Sequence, residues 1–246
     1  MYNSKFCVRK TWSRTARNTI HTAAQQPQNR PDMRFWRLIN LVGSGPPGRG
    51  SGAGGISFLL LSTYMKTLEG RAAEELWDRY WREMRREWFK LEVLQDYSGE
   101  DASPSLAKWL EGDEQGSIAL MKAENHREWA ESCRQKLAEG VKLTRLHIVE
   151  KPYGPYLRWE LRHYEHINVP RCGEKVYLVD KARTAALDIP EGDLMIFDDS
   201  RAVVNTYDKN GLMIRETFYE KGDDISRFLR LAAQLKELAQ PLPARA

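Results

Sequence analysis

Residues 194–219 read LMIFDDSRAVVNTYDKNGLMIRETFY, and this stretch decides the fold. Three runs rich in apolar and β-branched residues, Leu194–Asp198, Ala202–Tyr207 and Leu212–Tyr219, are each too short for an ordinary helix. Asp, Ser, Asn and Gly fill the gaps between them, as turn-forming residues do. Asp208-Lys209-Asn210-Gly211 joins the last two runs. Asn-Gly between alternating runs is a strong hairpin signal, so these segments predict antiparallel strands.

Upstream, Glu174–Val179 predicts another strand. Lys142–Glu150 alternates, with Thr144, Leu146 and Ile148 on one face and Arg145, His147 and Val149 on the other, which predicts a fifth. Between these two, Pro155 opens Tyr156–Tyr164, where Leu157, Leu161 and Tyr164 have helical spacing. Earlier still the period is helical. Thr67 is placed to cap a helix over about 68–94, whose stripe is Leu68, Ala72, Leu76, Tyr80, Met84 and Trp88. Pro104–Glu111 and Ala123–Glu139 predict two more helices, closed by Gly112 and Gly140. Downstream, Asp223 is placed to cap a terminal helix with Ile225, Phe228, Leu231, Leu235 and Leu238 on its apolar side, stopped by Pro241 and Pro243. Helices first, strands next and a closing helix last predict an α+β domain. It has N-terminal helices and a C-terminal helix packed on one face of a mostly antiparallel sheet of about five strands.

The chain has 246 residues and a formal net charge of +4, but the charge is unevenly spread. Residues 1–64 hold nine Lys/Arg and the single acid Asp32, while residues 65–246 hold 29 bases and 33 acids. The first segment also contains a run from Gly43 to Gly55 dominated by Gly, Pro and Ser. Such composition cannot bury enough apolar surface to offset chain entropy, so residues 1–64 are expected to be disordered and 65–246 to form one globular domain. Three origins for the segment are open: an over-extended start upstream of Met65, a basic arm for nucleic acid, or a targeting sequence. The longest apolar run, Ile56–Leu61, is far short of the ~18 residues of a membrane span. Cys7, Cys133 and Cys172 are too few and too far apart in sequence for a disulfide framework or a zinc motif. A soluble cytoplasmic protein without metal or cofactor is expected.

No phosphate-binding loop, paired-cysteine motif, zincin motif or nucleophile elbow is present. His163-x-x-His166 has the spacing of a metal-ligand pair, and surface histidines are the simpler account. Asp198-Asp199 follows a strand, where carboxylates serve either catalysis or a turn. The most suggestive set joins Arg145 and His147 on one strand face to Arg158, Trp159 and Glu160 on the following helix, with Asp198 across a cleft. Arginine beside tryptophan can hold an anion or stack on a base. The competing account pairs Arg158 with Glu160 or Glu165 for packing.

The run Tyr156-Leu157-Arg158-Trp159-Glu160-Leu161, with Asn168, Gly173-Glu174 and Asp193–Asp199, resembles an actinobacterial domain family of unknown function. The family's basic strand corresponds to Arg145–Val149, its tryptophan helix to Trp129, and its Tyr-Asp-x-x-Gly turn to Tyr207, Asp208 and Gly211. His147 stands where a second arginine is common, which weakens an anion site there. The resemblance spans roughly residues 72–235. Members are often encoded beside helix-turn-helix regulators, which implies a non-enzymatic accessory or regulatory protein that binds such a partner. The layout also resembles phospholipase-D-like sensory domains, but the HxKxxxxD motif is missing, so only an inactive, anion- or nucleotide-binding relative is implied. Nucleic acid is an expected partner only if the basic segment is native; no membrane partner is expected.

Overall fold

The computed structural model describes residues 64–100, 103–124 and 126–243. The expectations for residues 1–63 lie outside these. One eight-stranded sheet runs through the fold. Its strands in chain order are β1 (Tyr64–Leu68), β2 (Glu87–Glu92), β3 (Lys142–Val149), β4 (Lys175–Asp180), β5 (Asp193–Phe197), β6 (Arg201–Tyr207), β7 (Met213–Glu220) and β8 (Gln240–Pro241). Their spatial order is β1-β7-β6-β5-β2-β3-β4-β8. β2, β3 and β4 pair in parallel, and every other pairing is antiparallel. The α+β class and the mostly antiparallel sheet hold, with three strands beyond the expected five.

The helices do not lie on one face, as expected, but on both. Alternation along β5 shows why: Leu194 and Ile196 enter one core, Met195 and Phe197 the other. On the first face α1 (Gly70–Glu83) and α4 (Arg127–Ala138) bring Trp77, Tyr80, Trp81 and Cys133 against Trp88, Leu143, Phe197 and Phe218. On the second face α7 (Asp223–Leu238) lays Ile225, Phe228, Leu231 and Leu235 over Phe89, Leu91, Leu146 and Ile196. Burying each such side chain contributes about 1.5–3 kcal/mol relative to leaving it in water.

The long helix expected over 68–94 is three elements. Leu68 and Thr67 belong to β1, so Thr67 caps nothing. The helix stops at Glu83, and β2 follows. The step-of-four stripe ran on to Trp88 by coincidence, because Trp88, Phe89 and Leu91 supply both faces of a buried strand. Asp198 enforces the break: its carboxylate accepts the backbone N–H groups of Arg85, Arg86 and Glu87 at 2.7–3.2 Å. Asp198 adopts φ 57°, a left-handed conformation that Asp tolerates better than most residues.

α2 (Pro104–Leu110) starts at Ser103, whose hydroxyl accepts from Leu106 N. The helix expected over 123–139 is α4, which starts a few residues later at Arg127, and an unforeseen helix, α3 (Glu114–Ala123), capped by Asp113, precedes it. α5 (Pro155–His163) continues through a π-helical turn, Tyr164–Asn168, into the short α6 (Val169–Cys172). The β6–β7 connection is a five-residue loop, Asp208 to Leu212, one residue longer than the expected Asp208–Gly211. Asp208 Oδ1 accepts from Asn210 N and Leu212 N, and Gly211 takes φ 77°. A Cβ at Gly211 would lie 2.6 Å from the Asp96 carbonyl oxygen, so glycine is required twice over. Gly222, not Asp223, is the N-cap of α7; Asp223 and Asp224 sit in its first turn, where the helix dipole favours acids.

Candidate functional site

The period of two that buries Phe89 and Leu91 on one face of β2 puts Lys90 and Glu92 on the other. Parallel pairing sets Lys90 opposite Arg145 and Glu92 opposite His147. Four polar side chains therefore share one patch in the middle of the sheet. α5 and the π-helical turn roof this patch with Glu160, Tyr164 and Asn168; Glu174 enters from the start of β4 and Asp193 from the start of β5. All are shut away: Lys90 is 8% exposed, Arg145 5%, and His147, Glu160, Glu174 and Asp193 2% or less.

Arg145 is the hub. Its Nη1 reaches Glu92 Oε1 at 2.5 Å, its Nε reaches Glu174 Oε2 at 2.6 Å, and its Nη2 reaches Glu174 Oε1 at 3.3 Å. The guanidinium also lies 5.7 Å from the Trp88 ring and 5.4 Å from Tyr164. Lys90 Nζ is 2.7 Å from Glu92 Oε1. The Tyr164 hydroxyl donates to Glu92 Oε2, and Asn168 Nδ2 donates to Glu174 Oε1 at 3.0 Å. His147 Nε2 lies 2.7 Å from the Leu94 carbonyl, while Nδ1 lies 3.0 Å from the Tyr164 hydroxyl and 3.6 Å from Glu160 Oε2. Tyr97 and Tyr207 donate to the two oxygens of Asp193 at 2.7 and 2.9 Å, and Val93 N adds a third bond.

Glu92, Glu160, Glu174 and Asp193 thus face Lys90 and Arg145, with His147 among them. Burial in these surroundings has a visible consequence at Asp193. Burial pushes its carboxyl above the ordinary range, Lys90 works against that rise, and Glu92 reinforces it. Burial also holds Tyr97, Tyr164 and Tyr207 well above their usual value, so each remains a donor. At Arg145 burial opposes the charge, but Glu174 and Glu92 outweigh it, and the group sits well above its ordinary value.

Arg145, His147 and Glu160, three of the six candidate residues, therefore converge. Trp159 is buried beside them, packed 5.4 Å from Tyr156 and 5.9 Å from His163, and offers no accessible stacking face. Arg158 points the other way from the same helix and is exposed. Asp198 does not join the set, since its oxygens cap the β2 entry; Arg145, Arg158, Glu160 and Asp198 do not come together around one cleft. Neither expected partner holds Arg158: Glu165 is paired with Arg162 at 2.7 Å, and Glu160 faces His147. Sequence reasoning missed Lys90, Glu92, Tyr164 and Glu174. Reading WFKLEV at 88–93 as a strand would have placed Lys90 and Glu92 on one face.

The outward surface of α5 borders a groove of about 810 Å³ between α3, the π-helical turn and the β4–β8 edge. A narrower pocket of about 250 Å³, lined by Trp109, Tyr153, Arg158, Leu161, Leu178 and Leu242, shares five lining residues with it. Lys175 lines the wide part and Arg158 the narrow one; among the described residues neither side chain has an ion-pair or hydrogen-bond partner. His166 also lines the groove, its pKa lowered by burial and by Lys122, so it adds no charge at pH 7. His163 instead engages Asn168 Oδ1 at 2.8 Å and packs edge-on to His126. Metal-ligand chemistry converges elsewhere: Cys133, Cys172 and Glu174 bring one ligand atom each to within 4.8 Å of one another. Among the described residues, no helix is long and apolar enough to cross a membrane.

The family described as Domain of unknown function (DUF6879) has a model that matches residues 75–244. No curated protein matches the chain. Among solved structures, TrmBL2, described as an archaeal chromatin protein with a novel mode of DNA binding, is similar at 13% identity and a TM-score of 0.35. The match covers 74% of this chain but 56% of that one, just over half its length. Nuc from Salmonella typhimurium, described as a phospholipase D family member, is similar at 7% identity and a TM-score of 0.42, over 75% of this chain and 100% of that one. Neither likeness is close enough to carry an argument.

Proposed function

The chain belongs to the DUF6879 family, a domain family of unknown function, and we propose that it is a non-enzymatic accessory module that works by binding a partner protein. The observation behind this reading is where the charges point. Arg145, His147 and Glu160 are sealed in the core and engaged with one another, so no substrate reaches them. Arg158 and Lys175, by contrast, face an open groove that Glu114 also lines, and among the described residues neither cation has a partner. A groove with a narrow, largely apolar end and unpaired cations along its side suits a peptide segment bearing acidic residues next to a large apolar one. A helix-turn-helix regulator in the cytoplasm is the partner proposed.

Affinity purification from native host cells at low salt tests this. Recovery of the chain alone refutes the reading. Recovery of a regulator, lost when Arg158→Glu and Lys175→Glu are combined, supports it and places the contact at the groove. A nucleotide is the competing occupant. At ~100 times its Kd it would stabilise the fold by about 2.7 kcal/mol in a thermal-shift screen, and such a shift would displace the protein-binding reading.

A further inference from the structure

We infer that Cys133, Cys172 and Glu174 form a buried zinc site. Sequence spacing hides it, because the three residues come from different elements: Cys133 from the middle of α4, Cys172 from the end of α6, and Glu174 from the approach to β4. Gly173 makes the juxtaposition. Its left-handed conformation, φ 67°, ends α6 and reverses the chain between Cys172 and Glu174. Neither cysteine is in a disulfide, both are 0% exposed, and Glu174 is 2% exposed.

The geometry is near what a tetrahedral zinc needs. Bonds of about 2.3 Å to sulfur and about 2.0–2.2 Å to oxygen put ligand atoms roughly 3.5–3.8 Å apart. The three atoms here lie within 4.8 Å, so side-chain rotation of about an ångström closes the site. Two soft thiols and a carboxylate also fit zinc better than magnesium or calcium, which take oxygen donors.

Charge balance and support around the carboxylate argue the same way. Glu174 is oriented by Arg145 and by Asn168, the outer partners that hold a ligating carboxylate in place. With the thiols protonated, Glu92 and Glu174 are balanced by Lys90 and Arg145. When zinc binds, two thiol protons leave to solvent. The two thiolates are then balanced by the dication, and the four surrounding charges still sum to zero. A buried group of charges is tolerated only when it is neutralised in this way.

The test is metal analysis of the full chain expressed with added zinc and purified without chelator. About one zinc per chain is expected from the wild type, and none from Cys133→Ser/Cys172→Ser. Cobalt exchanged into the wild type should give the near-ultraviolet thiolate-to-cobalt absorption, a readout that survives if the variant fails to fold. Wild-type protein with no more zinc than the variant and no thiolate band for cobalt overturns the inference. A mass lower by two hydrogens, with a linked peptide that joins Cys133 to Cys172, overturns it equally.

Discussion

Replacing Arg145 with leucine removes the one cation shared by two buried carboxylates. Glu92 keeps Lys90 at 2.7 Å and the Tyr164 hydroxyl, so it remains partly compensated. Glu174 keeps only the Asn168 amide among the contacts described above. The net damage is therefore close to one uncompensated buried carboxylate, which costs about 3–5 kcal/mol. For a domain of this size each kcal/mol moves the midpoint by roughly 2–4 °C, so the expected drop in Tm is about 6–20 °C. Urea unfolding followed by tryptophan fluorescence and a calorimetric scan would measure it. Arg145→Leu/Glu174→Gln should recover part of the loss, because the stranded charge is gone. The Arg145→Leu defect should also shrink as pH falls, since the carboxylates can then take up protons. A cost under ~1 kcal/mol, the scale of an exposed ion pair, would refute the account of Arg145 as hub. So would a double variant less stable than Arg145→Leu.

Asp198→Ala should cost about 1–3 kcal/mol, because three backbone N–H groups lose their acceptor at the β2 entry; Asp198→Asn, which tolerates φ 57° and keeps one carbonyl acceptor, should cost less in the same urea titration. Gly192→Ala should be among the most damaging single changes, since its Cβ would meet the Asn205 carbonyl oxygen at 2.0 Å and Gly192 has φ 135°; a wild-type midpoint would show that the β5–β6 approach is looser than described. Burial lowers the His126 pKa below its usual 6.5, so the unfolded chain takes up that proton first: the stability His126 gives is present above pH 6.5 and lost as pH falls through the window below it. His126→Gln should flatten that part of a stability–pH curve, and an unchanged curve would remove His126 as its source. Asp193 works in the opposite sense: its carboxyl titrates above the usual 3.8, so its contribution is full below 3.8 and declines as pH rises through the raised value.

The readable parts of this chain were those whose polar and apolar residues keep one period along the whole element. β3 alternates over eight residues, and α7 carries an apolar stripe over sixteen; both were legible to within two residues of each end. β2 was not, because it is only six residues long, carries the apolar pair Trp88 and Phe89 on opposite faces, and places Trp88 where it extends the spacing of α1. α3 was hidden by Gly116, a poor helix former that here lets its N–H reach the Asp113 cap. At the site, Arg145 and His147 stood out because charges on an otherwise apolar strand are conspicuous. Lys90 and Glu92 looked like the solvated side of a helix, and Glu174 drew attention only through the family resemblance. Asp198 was seen as both turn and catalyst; its three backbone partners settle it as the former. Convergence between distant elements, such as Cys133 with Cys172, leaves no periodic trace at all.

The position of β2 bears on how the chain is made. Lys90 pairs with Arg145 on one side and Met195 on the other, so this central strand leaves the ribosome about a hundred residues before its second neighbour. At about 5–20 residues per second that is a delay of roughly 5–20 s. Throughout it, Trp88, Phe89 and Leu91 have one open strand edge and no α7 to cover them. A nascent chain with such an edge is prone to pair with other strands and calls for a chaperone. Expression slowed or cooled during translation, or supplied with extra chaperone, should therefore change soluble yield more than any choice of purification buffer.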